Sequence, residues 1–153
     1  MAFLSSMNIV TSGMTAQQLR LDVVAENITN STTTRTEGGE GAYRRKTVVF
    51  ESIAGRETFQ EAMARANGKL SNDGFENAGG VRVAAIEEDP SDLKLVYDPT
   101  HPDANEQGYV EMPNVDTIKE MTDAMAATQA FSANVTAFNT LKAVIAKGLE
   151  IGR

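Results

Sequence analysis

A seven-residue apolar repeat occupies both ends of this chain and is missing from its middle. Phe3, Val10, Gln17 and Val24 are seven apart, and so are Met7, Met14, Leu21 and Ile28. The two sets interleave at spacings of four and three, the a/d pattern of a helical seam. No proline interrupts it, and Gly13 is a mild defect costing about 1 kcal/mol relative to Ala. The spacing predicts a helix over 3–28, roughly 40 Å long. At the far end Met121, Thr128, Val135, Lys142 and Leu149 are seven apart, as are Ala124, Phe131, Phe138 and Ile145. Ile118, Met125 and Leu141 widen that second stripe. Asp116 is the expected N-cap, Glu120 falls in or just beyond the first turn, and Gly148 and Gly152 mark an expected fraying end. Gln17, Thr128 and Lys142 are polar seam positions, of the kind that set register or partner choice.

Between the seams the period changes. YRRKTVVFESI (43–53) is rich in β-branched and aromatic residues, while VRVAAI (81–86) and LKLVY (93–97) alternate. EEDPS between the last two reads as a turn, so 81–97 is expected to be a hairpin, and GYVEM (108–112) a further short strand. ETFQEAMARANG (57–68) fits either a short helix ended by Gly68 or an irregular insertion. The fold class is therefore α+β, with long N- and C-terminal helices paired as a coiled coil around a small β-rich middle. The boundaries are 1–30 for the first helical segment, 31–115 for the middle and 116–153 for the second.

Whether the seams meet other chains depends on how much core this chain can build. Leu, Ile, Val and Phe number 33 of 153 residues and there is no Trp. A large self-sufficient core is not expected from so few bulky residues. Isolated helices are marginal in water, so each seam needs cover. One arrangement has the helices pairing and locking into a multi-chain bundle, with loose ends in the monomer. The other has them packing on the β-rich middle as a compact domain.

The net charge of −7 argues against nucleic acid as a partner. The basic cluster Arg44, Arg45 and Lys46 reads as a solvated or salt-bridged strand start. Cysteine is absent, which removes disulfides and thiolate chemistry. The first charged side chain is Arg20, so no basic signal-peptide region is visible. Apolar runs reach four residues, so membrane insertion is not expected.

Chemistry-bearing motifs are few. There is no phosphate-binding glycine loop and no nucleophile elbow. The single histidine, His101, lies in YDPTHPDA (97–104) between Asp98 and Asp103. A metal or acid–base site there is weighed against a proline-stiffened turn, and the turn is favoured. Asn27, Asn30 and Asn134 lie in N-x-[ST] sequences that read as chance. Asn27, Ile28 and Asn30, within AENITNSTTT (25–34), read instead as a helix-exit motif, with Asn supplying a left-handed turn into a flexible joint. No catalytic residue, cofactor or metal is expected.

SSMNIVTSGMTAQQLRLDVVAENITNSTTTRT (5–36), AYRRKTVVFE (42–51), GVRVAAIEED (80–89), YDPTHPDA (97–104) and GYVEMPNV (108–115) closely resemble the flagellar rod and hook axial protein family, and within it the proximal-rod proteins. Ser12, Gly13, Met14, Ala16, Asn27, Ile28 and Asn30 match the opening signature. Glu26 and Thr29 stand where the usual pattern prefers Asn and Ala. Residues 52–79 resemble a family-variable insertion. The resemblance implies a non-enzymatic subunit of the periplasmic rod of the flagellar basal body. Such subunits are exported through the type III apparatus without a cleaved signal and assemble helically with copies of themselves and with other rod proteins. The shaft is hollow, transmits torque and serves as the export channel. Its interface residues here are Phe3, Met7, Val10, Met14, Leu21, Val24, Ile28, Met121, Met125, Phe131, Val135, Phe138 and Ile145. A secretion chaperone or adaptor with a helical-hairpin interface is the alternative, and a hydrolase centred on His101 the third reading.

Overall fold

A computed structural model of the chain describes residues 2–36, 41–53 and 79–151, with Met63 and Asn67 as isolated positions. Helix α1 spans Ala2–Thr29, extending the predicted seam by one residue at each end. Its β-branched threonines fit because Thr11 and Thr29 turn their hydroxyls onto the carbonyls four residues earlier, both at 2.8 Å. The helix ends when the Asn30 N–H and its Nδ2 both donate to Glu26 O at 3.0 Å. Among the described residues only glycines have positive φ, so neither Asn27 nor Asn30 supplies the expected left-handed turn. Asn30 stops the helix through its side chain, and Asn27 lies within the helix.

Strand β1 (Lys46–Ser52) pairs antiparallel with β2 (Val81–Glu88), and β3 (Lys94–Tyr97) with β4 (Tyr109–Met112). The expected hairpin over 81–97 is thus wrong. The partner of β2 is β1, and the Asp89 N–H carries that ladder on to Arg45 O at 2.7 Å. Pro90 then offers no donor, and Asn114 Nδ2 pins the departing chain at Asp89 O and Ser91 O, each at 3.2 Å. β3 therefore leaves the first sheet and finds β4 across the proline-containing turn, Tyr97 opposite Tyr109.

Helix α2 spans Thr117–Ile151 and runs through Gly148, which does not mark its end. Asp116 caps it as expected, with Oδ1 accepting the Ile118 N–H at 3.0 Å. The two helices run antiparallel, since Gly13 lies against Asn134, Arg20 against Asp123 and Asn27 against Glu120. α1 also touches β1 and β2, so it sits between the second helix and the first sheet. Within one α+β chain the two helices pack on each other and α1 also packs on the first sheet of the β-rich middle. The buried apolar residues, Ala16, Val23, Val24, Ala42, Tyr43, Val110, Val115 and Ala127, are mostly small. The choice between helix and irregular insertion at 57–68 lies, apart from Met63 and Asn67, outside the described residues.

Candidate functional site

The seam residues divide by where the two helices carry them. On α1, Val24 is buried, and Met7, Val10, Met14, Leu21 and Ile28 are half-buried. The side chain of Phe3 is outside the described residues. On α2, Phe131, Val135, Phe138 and Ile145 are half-buried, whereas Met121 and Met125 are 54% and 74% exposed. Met121 and Met125 therefore do not face α1. The reason is geometric: an α-helix has 3.6 residues per turn, and a strict seven-residue row drifts by about 20° per heptad. The face of α2 turned to α1 carries Glu120, Ala127, Phe131, Asn134, Phe138 and Ile145, and the Met121 row begins about 100° away from it.

The deepest part of the helix pair is polar. Asn27 and Glu120 are both fully buried. Asn27 Oδ1 accepts the Tyr43 hydroxyl and the Lys46 N–H, both at 2.9 Å. Its Nδ2 donates to Lys46 O at 2.8 Å and to Glu120 Oε2 at 3.0 Å. All four hydrogen-bonding positions of the amide are used, and two of them pair with the N–H and C=O of one residue, Lys46, as a neighbouring strand would. Glu120 Oε1 accepts from Arg45 Nε at 2.6 Å. The same guanidinium lies 3.4 Å from Asp123 Oδ2 and 3.6 Å from Asp89 Oδ2. The Arg45 N–H donates to Asn114 Oδ1 at 2.8 Å. One side chain thus ties β1 to α2 and to the end of β2. Burial, reinforced by Glu26, Glu120 and Glu88, pushes the Tyr43 hydroxyl from 10.0 up to about 12. Of the basic cluster, Arg45 and Lys46 are salt-bridged, Lys46 to Glu26, and Arg44 donates to Ser91 O.

His101 is part of a turn. Its Nδ1 accepts the Asp103 N–H at 3.1 Å. Asp103 accepts the Thr34 hydroxyl at 2.8 Å and pairs with Arg35, and these contacts, Thr34 first, hold its carboxyl below the usual range. Among the described residues no group of three or more His, Cys, Asp or Glu is placed to hold a metal ion. No helix among them is long and apolar enough to cross a membrane. Sequence reasoning named Asn27 for the wrong role and missed Glu120 and Arg45 as a buried pair. No local signal marked them, because the inner position of Glu120 depends on Arg45 and Asn27 arriving from distant parts of the chain.

The helical ends and the strand that leads into α2 carry the family resemblance. The model for flagella basal body rod proteins matches residues 7–35, and that for the flagellar basal body rod FlgEFG protein C-terminal region matches 106–151. The flagellar basal-body rod protein FlgC of Bacillus subtilis (strain 168) is 47% identical, over 97% of each chain. The chain belongs to the FlgC family of flagellar basal-body rod proteins. The FlgC of Borreliella burgdorferi is 41% identical over 99% of this chain and 98% of its own. That of Escherichia coli O6:H1 is 38% identical over the whole of both. Asn27, Glu120 and Asp123 lie inside the two stretches matched by the rod-protein models, and Arg45 lies between them.

Proposed function

We propose that this FlgC-family chain is a structural, non-enzymatic component of the flagellar basal-body rod, and that the outer face of its helix pair is the assembly surface. The observation that carries the proposal is a stripe on α2 left open among the described residues: Ile118, Met121 and Met125 are 78%, 54% and 74% exposed. Large apolar side chains in a contiguous row on one helix face mark an interaction surface. In an assembly, this stripe and the half-buried row Met7, Met14, Leu21 and Ile28 pack coiled-coil fashion against copies of the chain and against other rod proteins, while Phe131, Phe138 and Ile145 stay on the face of α2 turned to α1. The rod so built is the proximal, hollow, periplasmic shaft that transmits torque and passes exported subunits. The chain reaches it through the type III apparatus without a cleaved signal.

Met125→Asp places a charge on the stripe and removes nothing that the folded chain uses. The isolated variant should unfold within about 0.5 kcal/mol of the parent, as exposed substitutions do. Cells carrying it should make the protein yet fail to build rods and fail to swim. Swimming cells with rods of normal composition would overturn the assignment of this surface.

A further inference from the structure

The first four turns of α2 are patterned inside out. From 117 to 130 the large apolar side chains Ile118, Met121 and Met125 lie outside, while Glu120 is buried and Asp123 half-buried. At 100° per residue the stripe lies between about 100° and 160° from Glu120, well away from the inner face. The other inward positions, Ala124 and Ala127, contribute only methyl groups. An amphipathic helix ordinarily does the reverse. Left to apolar burial alone, these turns gain by rolling the stripe inward against α1 and β1.

What opposes that roll is charge. Arg45 Nε holds Glu120 at 2.6 Å, and Asn27 Nδ2 donates to the same carboxylate at 3.0 Å. Arg45 and Arg20 flank Asp123 from two sides, each at 3.4 Å. The Arg45 side chain is only 13% exposed, so turning Glu120 away leaves a buried cation without its closest partner. We infer that Arg45, acting through Glu120 and Asp123, is the positioning residue that turns the Ile118–Met121–Met125 stripe outward. With the pair made apolar, the same turns roll and hide the stripe. The meaning of the inference rests on the stripe being the assembly surface, but its test uses the isolated chain. A swimming Met125→Asp strain would remove the assembly reading and leave the labelling result standing.

The chain has no cysteine, so single thiols can be placed by Met121→Cys or Met125→Cys and labelled with a maleimide. Thr140→Cys, at an exposed position farther along α2, serves as a control. In the parent all three thiols should react quickly. In Arg45→Met/Glu120→Leu, an apolar exchange of the kind that folded proteins often tolerate, those at 121 and 125 should slow by about tenfold or more while that at 140 does not. A junction that merely adds stability predicts the opposite, since loosening the helix leaves labelling unchanged or faster. Retained helicity with undiminished labelling at 121 and 125 overturns the inference. If the double variant loses helical signal, Glu120→Gln takes its place, since it keeps a partner for Asn27 and removes the charge that holds Arg45. Protection at 121 and 125 there supports the inference, and unchanged rates overturn it.

Discussion

Gly80 is held where no other residue fits easily. Its φ is +115°, and a Cβ there would stand 2.2 Å from Ser12 Oγ. That hydroxyl cannot simply rotate away, because it donates to Ile9 O at 2.7 Å and accepts the Val81 N–H at 3.1 Å. Gly80→Ala should therefore destabilise the chain by about 2–4 kcal/mol, read by denaturant unfolding. Tyr43 makes a prediction about pH. Its hydroxyl is held neutral up to about 12 in the folded chain against 10.0 when free, so the unfolded chain ionises first. The stability this provides is complete below pH 10 and is lost as pH rises from 10 to 12, by at most about 1.4 kcal/mol per pH unit. Tyr43→Phe should flatten that alkaline loss, measured as the difference between variant and parent across the window.

At the scale of elements, the helices were legible because they are long, uninterrupted and periodic, and their observed ends fall close to the predicted ones. Asp116 was legible as well, since a cap is a local arrangement. Asp116→Ala should cost about 1 kcal/mol and leave the rest of the fold in place, as thermal unfolding with helical ellipticity as the probe will report. The strands were found where β-branched and aromatic residues cluster, but their pairing was not. The turn-like EEDPS invited a hairpin, yet β2 is claimed by β1, which precedes it by some thirty residues. Strand partners are decided by what the rest of the chain places alongside, and a sequence window does not contain that. The heptad rows do not all face the partner helix within the chain, because a strict seven-residue period and the 3.6-residue turn of an α-helix part company within a few turns.

For the whole molecule, the sequence determined by itself that two long helices flank a small β-rich middle, that large apolar residues are too few for a self-sufficient core, and that rod-protein motifs run along nearly the full length. These properties are local or compositional, and each residue carries its share of them. Tertiary structure alone decided which side of each helix looks inward. The inner face of α2 follows Glu120 and Asp123, which read as ordinary solvent-facing acids until Arg45 and Asn27 are brought beside them from 75 and 93 residues away. A buried charge is acceptable only where distant partners converge on it, and that convergence belongs to the folded chain. The same event leaves Ile118, Met121 and Met125 outside, so the surface proposed for assembly is the complement of a junction that sequence periodicity could not reveal.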